Sequence, residues 1–470
     1  MPMSEKPIAS TSEPPLRRGL LFAFALPSLM MGFMHSPESQ IQGIYAKHAG
    51  LSLTALAAAM LFTRMFDAIT YPLIGHWSDL SFRKTGSRKP WLMAGTALTV
   101  TGLWFLYRPP ADVTIAWFTV WTLVTYIGWK VTEIPYSAWA VTLSSDYVQR
   151  ARVNMWRVMT LLLGNVLFYV VPYAVKALGL SDTTELDLHL LGFTAVVIAA
   201  CVPLINLYAM ARVPDGEASP PPPEHAGGKT SWRKLFAAMR GNRPLLHLTA
   251  MMLPFNFFNG MSTGAIYLYL DSYLHLGKDL PLLMLTAMPF TLLALPFWSW
   301  LCLRYERHRV LSVAMLVGAT AYTIASLAPV SSGLPLLMVF YPITIFCVVA
   351  LAACALPMMG DVIDYDRLRT GENRAGLYTA VLSFLGKSIL GLASAFGFAT
   401  LGWLHFDAAA SEQSVSGAFA IRLVVMWLPA LGGMLAGILA WSFPITRARQ
   451  AQIRAELQAR DAAASIGIST

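Results

Sequence analysis

The chain of 470 residues is 56% hydrophobic and only 13% charged, and its mean hydropathy is +0.55. A soluble protein carries about 25% charged residues, so most of this chain is not built to face water. The formal net charge of +9 would suggest a nucleic-acid partner in a soluble protein. Here the basic residues are placed between apolar stretches, which favours a membrane protein and predicts no nucleic-acid partner.

Apolar stretches recur along the whole chain. A helix of about 20 residues crosses the ~30 Å hydrocarbon core of a bilayer, and twelve stretches come close to that length or exceed it. The predicted spans are residues 19–45, 52–77, 91–108, 113–143, 156–176, 189–211, 244–272, 279–301, 308–329, 334–358, 376–403 and 417–443. The pattern predicts an all-α membrane protein with twelve transmembrane helices.

Basic residues collect in alternate connections between these spans, as at residues 17–18, 83–89, 229–234 and 304–309. Cytoplasmic loops of membrane proteins carry an excess of Lys and Arg, so both termini are predicted in the cytoplasm, which requires an even number of spans. Residues 1–18 lack the pattern of a signal peptide. The predicted location is the cytoplasmic (inner) cell membrane, with the lipid bilayer as a partner.

Residues 213–235 are rich in proline and glycine and cannot continue a helix. They divide the spans into six before and six after, which predicts two pseudo-symmetric six-helix bundles. This arrangement is typical of transporters whose site lies between the halves near the middle of the membrane. The predicted organisation is a tail at 1–18, an N-terminal bundle at 19–212, a linker at 213–243, a C-terminal bundle at 244–443 and a tail at 444–470.

Five ionisable residues lie well inside predicted spans: Arg64 and Asp67 in the second, Lys130 and Glu133 in the fourth, and Lys387 in the eleventh. A charge at mid-bilayer costs on the order of 2.5–3.5 kcal/mol or more, so such residues normally face a cavity or a partner. Residues three apart share one helix face. We therefore expect Asp67 to face Lys130 across a shared cavity, and Glu133 to face Arg64 or Lys387. The alternative is a set of ion pairs that only lock helices together.

The first span carries His35 and Glu38 on either side of Pro37. Proline kinks a helix, which membrane proteins tolerate where the chain lines a cavity. If the span ends early, these residues are only the rim of a loop, and both interpretations stay open. Asn256 and Asn259 in the seventh span are either polar cavity lining or ordinary helix-packing residues.

Three stretches carry distinctive motifs, which are TRMFDAITYPLIGHWSDLSFRKTGSRKPW at 63–91, TEIPYSAWAVTLSSDYVQRARVNMWR at 132–157 and GDVIDYDRLRTGENRAGLYTAVLSFLGK at 360–387. In the same order, they resemble signature regions of the glycoside–pentoside–hexuronide:cation symporters. This family is the melibiose permease branch of the major facilitator superfamily. The resemblance covers both halves and implies the major facilitator fold and cation-coupled sugar uptake.

The family's cation site uses a D-x-x-x-D pair on the second span together with groups on the fourth. Asp67 matches the first aspartate, but Tyr71 stands in place of the second, and Lys130 stands in place of a neutral hydroxyl residue. Glu133 matches the acidic residue used for substrate recognition, and Lys387 matches the lysine of the eleventh span. The sugar-binding aspartate of the first span has no counterpart. We therefore expect the chain not to use sodium, and either to couple to protons through Asp67 and Glu133 or to be a uniporter.

The predicted function is secondary active transport of a sugar or glycoside by alternating access, coupled to H+ rather than sodium. The predicted substrate-binding residues are Glu133, Trp129, Lys387, Tyr136, Asn256 and Asn259. The predicted ion-coupling residues are Asp67, Lys130, Glu133, Arg64 and Tyr71.

Two alternatives remain. The first is an amphiphile or lysolipid-type carrier with the same fold, which the 23 methionines and the aromatic content of 12% favour. A more remote alternative is a non-transporting sensor or an enzyme. The sequence contains no HExxH motif and no P-loop, so we predict no enzymatic activity, no cofactor and no metal site.

Charged residues also cluster in the predicted cytoplasmic connections. Pairs that form in one access state and separate in the other bias the equilibrium of a two-state carrier, whereas topology and loop solvation alone would also place charges there. The predicted gating residues are Asp79, Arg83, Arg88, Asp146, Arg150, Asp361, Asp364 and Arg374.

Overall fold

The computed structural model describes residues 16–144, 146–215, 241–372 and 374–467. Within these ranges the chain forms helices and no β-strand, in agreement with the predicted fold class. Most of the predicted linker, including the basic residues at 229–234, lies outside the described residues, as do both ends of the chain.

The N-terminal half contains six long helices and one short helix. In chain order they are α1 (Arg18–His35), the short α2 (Ile41–His48), α3 (Leu53–Thr85), α4 (Lys89–Tyr107), α5 (Ile115–Thr142), α6 (Tyr147–Ala177) and α7 (Leu188–Arg212). Several begin at a side chain that accepts a hydrogen bond from the backbone N–H three residues ahead, which satisfies one of the unpaired donors of the first turn. These capping residues are Ser52, Thr114, Asp146 and Asp187.

The C-terminal half repeats the pattern of six spans. Its helices are α8 (Arg243–Leu268), α9 (Leu280–Arg304), α10 (Arg307–Ala325), α11 (Leu334–Thr370), α12 (Ala375–Trp403), α13 (Val415–Arg422) and α14 (Leu428–Trp441). A π-helical turn at Leu423–Trp427 joins α13 to α14 in one span, and a second π-helical turn, Tyr269–Tyr273, follows α8. A polar helix, α15 (Arg447–Gly467), follows the last span. The described chain thus has twelve spans, six in each half, as predicted.

Seven of the spans qualify as membrane-crossing by length and hydropathy alone among the described residues. Large apolar side chains point outward from the bundle, where a lipid bilayer would meet them. Examples are Leu204, Leu293, Leu303 and Leu356, which are 65 to 77% exposed. Outward-facing leucines on long helices are expected when hydrocarbon surrounds the protein, because water is not the solvent there. The molecule is a multi-pass membrane protein.

The first predicted span, 19–45, is interrupted at Pro37. After α1 the chain makes one 3-10 turn, Ser36–Ser39, and then continues as α2. The proline removes a backbone N–H from the helical ladder, and the tighter turn accommodates the loss without ending the span. His35 and Glu38 therefore lie partway along one continuous helical span rather than in a loop at the end of the span.

Glycines allow α1 and α6 to cross at backbone contact. A Cβ added to Gly32 of α1 would overlap the carbonyl oxygen of Leu161, and a Cβ added to Gly164 of α6 would overlap the carbonyl oxygen of Leu29. In lipid, where little hydrophobic force drives helices together, close packing at small residues is a main source of association. The crossing fixes α1, and hence His35 and Glu38, against the rest of the N-terminal half.

The substitution Gly32→Ala is expected to destabilise the protein by about 1–3 kcal/mol, because the added methyl group meets a backbone atom that cannot rotate away. Gly19→Ala in the same helix is the matched control, since nothing lies within 4 Å of the position that its added methyl group would take. Thermal unfolding of the two purified variants in detergent measures the difference. Equal unfolding midpoints for both variants would contradict the tight crossing.

The two halves meet at one end of the molecule. We call the side that carries the start of α1, the end of α7 and α15 the terminal side, and the opposite side, with residues 46–52, 178–187 and 269–279, the far side. The most extensive contacts between the halves are those of α3 with α12, α2 with α8 and α6 with α9. On the far side, Thr184 of the N-terminal half donates a hydrogen bond of 2.6 Å to the carbonyl oxygen of Lys278 in the C-terminal half.

On the terminal side the halves are not joined in the same way. Every ion pair there, among the described residues, links two residues of the same half. The far side is therefore closed between the halves, and on the terminal side the described residues form no ion pair between them.

Candidate functional site

The central feature of the site is one ammonium group between two carboxylates. Nζ of Lys130 lies 3.9 Å from Oδ2 of Asp67 and 3.9 Å from Oε2 of Glu133. Asp67 is near the middle of α3 and the other two are near the middle of α5. Their side chains are 20%, 21% and 47% exposed for Asp67, Lys130 and Glu133, respectively. The predicted juxtaposition of Asp67 and Lys130 is present, and the group of three carries one excess negative charge when all are ionised.

Tyr71 lies one helical turn beyond Asp67 on α3. Nζ of Lys130 is 5.6 Å from the centre of its ring, a distance at which a cation is attracted to the negative face of an aromatic ring. At this position a second aspartate would bring a third carboxylate towards Lys130. The tyrosine supplies an uncharged face instead.

A second charged group lies next to the group of Asp67, Lys130 and Glu133, towards the far side. Nη2 of Arg64 is 2.8 Å from Oε1 of Glu38, and Nδ1 of His35 is 3.6 Å from the same carboxylate. The guanidinium also lies 4.7 Å from the centre of the Tyr126 ring. The expected pairing of Arg64 with Glu133 is wrong, because the 3-10 turn after α1 carries Glu38 inward and α3 turns Arg64 towards it.

The Arg64 side chain also reaches the C-terminal half. Its Cγ and Cδ would lie 2.9 Å from a Cβ on Gly391 of α12, so α12 approaches α3 closely only because this residue is glycine. Lys387 lies one turn earlier on α12. Its backbone is helical, but its side chain lies outside the described residues, so its expected contact with Glu133 stays a prediction.

Trp129 and His35 form a stacked pair beside Glu133. Their ring centres are 4.1 Å apart and the planes differ by 24°. The indole N–H of Trp129 has no hydrogen-bond partner among the described residues although it is buried. A crevice at this place is lined by residues of several helices, including Met30, Met31, Met34, His35, Trp129 and Glu133. An unpaired buried donor beside a carboxylate can hydrogen-bond a polar group.

The other predicted substrate residues are placed differently. Tyr136 is fully buried between α5 and α1, where its hydroxyl donates to the carbonyl oxygen of Phe24 at 2.5 Å and lies 2.9 Å from Oγ of Ser28. The expectation that Tyr136 binds substrate is corrected accordingly, because its hydroxyl and ring are used in helix packing. Asn259 of α8 accepts a hydrogen bond of 3.2 Å from the Tyr322 hydroxyl, and Asn256 is partly buried in the same helix.

The predicted gating residues form local contacts. Arg88 pairs with Asp79 at 3.0 Å, Arg307 with Asp361 at 2.9 Å, and Arg454 of α15 with Asp364 at 3.6 Å. Asp146 caps α6, Arg150 donates to the Ser144 carbonyl oxygen at 2.7 Å, and Arg374 lies 3.8 Å from Asp366. Arg83 is exposed in the last turn of α3. These contacts stay within one half, and the role of these residues in gating stays a prediction.

One cluster was missed by sequence reasoning. On the far side, Lys47 of α2 contacts Glu185 of the 178–187 connection and Asp271 of the π-helical turn after α8. Each of these residues lies at the end of a span, where charges are common, and nothing in the sequence pairs them. The described residues contain no group of three or more His, Cys, Asp or Glu side chains that could hold a metal ion.

Residues 260–264 read GMSTG, the letter pattern of a nucleophile elbow, but they lie inside α8 rather than at a strand-to-helix turn. The Ser262 hydroxyl is buried and donates to the carbonyl oxygen of Val425 at 2.8 Å. It serves helix packing.

Comparison with known proteins gives a consistent result. The sequence model of the family described as MFS/sugar transport protein matches residues 23–447. The isoprimeverose transporter of Lactiplantibacillus pentosus is 21% identical over 84% of this chain and 81% of its own length. The sodium-dependent lysophosphatidylcholine symporter 1 of Mus musculus is 20% identical over 99% of this chain and 94% of its own length.

Among solved structures, a bacterial homologue of the human lysosomal transporter Spinster, in an inward-facing and unoccupied conformation, superposes with a TM-score of 0.63. It is 14% identical and covers 95% of this chain, which in turn covers 99% of that one. At this identity the likeness shows the fold alone, which is that of the major facilitator superfamily.

Proposed function

This chain belongs to the MFS/sugar transport protein family and is a secondary transporter rather than an enzyme, and we propose that it carries a sugar or glycoside across the membrane together with a proton. The two relatives described above, which are transporters by name, match this chain over 94% and 81% of their own length. The predicted resemblance to the cation-coupled sugar symporters is confirmed at the level of the family. The substrate and the coupling ion are the proposed parts.

The observation that supports proton coupling is the position of Lys130. Its ammonium lies 3.9 Å from both carboxylates of the central group, in the space that a coupling cation would need. Two unit charges about 4 Å apart repel by roughly 4 kcal/mol at an effective dielectric constant near 20. A sodium ion there would have to displace Lys130 and would find one carboxylate on α3, where a D-x-x-x-D pair supplies two.

A proton meets no such obstacle. With Lys130 ionised, Asp67 and Glu133 together carry one charge more than it neutralises, so a single proton on either carboxylate makes the group neutral. A neutral group crosses the barrier between the two access states more easily than a charged one, because the apolar interior disfavours net charge. Asp67 and Glu133 are the proposed proton carriers, and Lys130 is their fixed counter-ion.

The sugar assignment is supported by the crevice beside Glu133. A sugar ring needs a flat apolar surface for its C–H face and converging groups for its hydroxyls. Trp129 offers an unpaired indole N–H and Glu133 offers carboxylate oxygens, in one crevice with His35, whose ring stacks on the indole where a sugar ring would lie. The family description and the isoprimeverose relative point to the same substrate class.

The second candidate is an amphiphile of the lysolipid type. Three methionines, Met30, Met31 and Met34, line the same crevice, and flexible thioether side chains adapt to acyl chains of variable shape. The lysophosphatidylcholine symporter matches 99% of this chain over 94% of its own length. That symporter is sodium-dependent by name, which the position of Lys130 argues against in the present chain.

We place the chain in the inner membrane with its terminal side in the cytoplasm, so that the described conformation faces inward. The basic residues of the connections support this orientation. Cysteines introduced at Ser414 on the far side and at Lys84 on the terminal side test it. A membrane-impermeant thiol reagent added to intact cells should label the first and spare the second, and the reverse pattern would overturn the orientation.

A binding and uptake screen tests the substrate class. Purified protein is heated with members of a sugar and glycoside panel or with lysophospholipids, and compounds that raise the unfolding midpoint are tested for uptake into proteoliposomes. We expect a sugar or glycoside to bind and to be taken up, and Glu133→Gln to lower that uptake at least about tenfold, equivalent to ~1.4 kcal/mol. Glu412→Gln, at an exposed far-side position, is the control. Binding and uptake of lysophospholipid alone would establish the second candidate instead.

A further inference from the structure

The far-side cluster is an ion pair between the two halves. Nζ of Lys47 lies 2.8 Å from Oε1 of Glu185 and 2.7 Å from Oδ2 of Asp271. Lys47 and Glu185 belong to the N-terminal half, whereas Asp271 belongs to the C-terminal half. Nε2 of His48 completes the contact at 3.0 Å from the Tyr267 hydroxyl, which itself donates to the carbonyl oxygen of Leu186 at 3.0 Å. The cluster therefore exists only while the far side is closed.

Asp271 is the buried member of this cluster. Its side chain is 3% exposed, against 26% for Lys47 and 28% for Glu185. Its carboxylate packs directly on the backbone of Gly277, where any Cβ would overlap Oδ1. The close fit leaves no room for a shell of water around the carboxylate.

The charges of the cluster do not balance. With His48 neutral, two carboxylates face one ammonium, so the ionised cluster carries one excess negative charge around a buried carboxylate. An uncompensated buried charge is costly, and protonation is the usual way in which a carboxyl group avoids that cost. One proton on Asp271, shared with Glu185 through a hydrogen bond, makes the cluster neutral.

The pKa values agree with this picture. Burial raises the pKa of Asp271 to about 6, against the opposing effect of Lys47. Burial also acts to raise the pKa of the Glu185 carboxyl, but the hydrogen bond and the charge of Lys47 outweigh it and leave that pKa lowered. Burial lowers the pKa of His48, and Lys47 lowers it further, so the imidazole is a poorer proton acceptor than an exposed one.

Other ionisable groups surround the cluster from every packed element, and none of them supplies a second cation in contact with Asp271. They are Lys47 and His48 from α2, Glu185 and Asp187 from the 178–187 connection, Tyr267 from α8, Tyr269 and Tyr273 from the π-helical turn, Lys278 and Asp279 from the following 3-10 turn, and Arg422 from α13, whose guanidinium lies 5.5 Å from the Tyr273 ring.

We propose that Asp271 is a proton-binding site that takes up its proton when the far side closes and releases it when the far side opens. This inference rests on the proposed function, because it requires a carrier that alternates between the two closures. On opening, Asp271 moves away from Lys47 and Glu185 with the C-terminal half and becomes hydrated, so its affinity for a proton falls to that of an ordinary aspartate, near ~3.9. The closed state binds the proton more tightly, and protonation therefore favours closure.

The sign of the pH effect follows directly. Because the pKa is higher in the closed state than in the open state, the contribution of the proton to closure is fully present below about pH 4. It is lost as the pH rises through about 6. If the far side faces outward, protons arriving from outside help to close the outer gate.

Distance measurements between the halves test the proposal without any substrate. Spin labels are attached at Thr183 and Ser411, exposed far-side positions of the two halves, in protein lacking the four native cysteines and reconstituted in lipid. We expect the population with the shorter distance to be larger at pH 5 than at pH 8, with the change confined to pH values at or below about 6. Asp271→Asn, which mimics the protonated group, should remain closed at both pH values.

Control variants assign the effect to one residue. Asp182→Asn, an exposed carboxylate on the same connection, should keep the wild-type pH dependence, and so should His48→Gln. Lys47→Met should move the midpoint upward by about one unit or more, because a neighbouring cation lowers a carboxyl pKa by about 1–3 units. This variant keeps the test decisive if Asp271→Asn fails to fold.

Two results would overturn the proposal. One is a pH-dependent distance that survives Asp271→Asn, and the other is a dependence that disappears in His48→Gln, which would assign the proton to His48. Failure of the proposed function would give a different result. Proton-driven uptake of every sugar would then be absent, while the distances between the halves could still respond to pH through Asp271.

Discussion

Lys130→Met is expected to lower proton-driven uptake by about 30-fold, equivalent to ~2 kcal/mol. The substitution leaves Asp67 and Glu133 without the ammonium that lies 3.9 Å from each. Removing one partner of a fully buried ion pair costs about 3–5 kcal/mol, and the smaller figure allows for the partial exposure of all three side chains. Uptake into proteoliposomes under an imposed pH gradient measures the effect.

The matched control is Lys84→Met, which removes an exposed ammonium at the terminal-side end of α3 and should leave uptake unchanged.

A second variant tests whether the site can be converted to use sodium. Lys130→Thr combined with Tyr71→Asp restores both the neutral residue and the second aspartate of the cation site that the symporter family uses, and we expect it to gain saturable stimulation by sodium. Unchanged uptake in Lys130→Met, or sodium stimulation already present in the unmodified protein, would contradict the role given to Lys130.

Arg64→Met is expected to produce the largest loss of stability among the site residues. It removes the partner of Glu38 at 2.8 Å, the stacking on Tyr126 at 4.7 Å and the contact with Gly391 of the other half. Because Arg64 and Glu38 are 32% and 24% exposed, we expect a loss of about 2–3 kcal/mol. Each kcal/mol lowers the unfolding midpoint by roughly 2–4 °C or less in a chain of this size.

A double-mutant cycle separates the ion pair from the other contacts. Glu38→Gln in the Arg64→Met background should recover part of the lost stability, because no charge is then left unpaired. Arg64→Lys should recover part of it as well, since an ammonium keeps the charge but neither the planar fork nor the stacking. Strictly additive effects of the two single substitutions would contradict a direct Glu38–Arg64 coupling.

The span pattern could be predicted from the sequence because long apolar stretches recur along it, although length and hydropathy alone qualify only seven of the described spans. The fourth predicted span, 113–143, differs from α5 (Ile115–Thr142) by two residues or fewer at each end. The 3-10 turn at Pro37 was not predictable in the same way, because a proline in a membrane helix can either end the span or be absorbed by one tight turn. Which of the two occurs depends on the packing of α1 against α6.

The ion pairs of the site could be predicted from the sequence only in part. Asp67 and Lys130 could be matched because each needs a partner inside the membrane and few candidates exist. The partner of Arg64 depends on how α3 is rotated about its axis, so Glu38 could not be distinguished from Glu133. Tyr136 was placed at the substrate for the same reason, since a helix has several faces and the sequence does not say which one meets α1.

The far-side cluster could not be predicted from the sequence for a different reason. Lys47, Glu185 and Asp271 lie at span ends, where water would solvate each of them at no cost, so nothing requires a partner. Only the closure of the two halves brings them together and buries Asp271. Contacts that depend on the conformational state of a carrier are the ones that residue patterns cannot reveal.

The central claim is that Lys130 occupies the place of a coupling metal ion and that a proton does the coupling. Its most direct test is uptake of the substrate identified by the screen into proteoliposomes under separate gradients. An inward proton gradient without sodium should drive accumulation above equilibrium, an inward sodium gradient at equal pH should not, and Asp67→Asn should abolish the proton effect. Accumulation driven by sodium and indifferent to pH would contradict the claim.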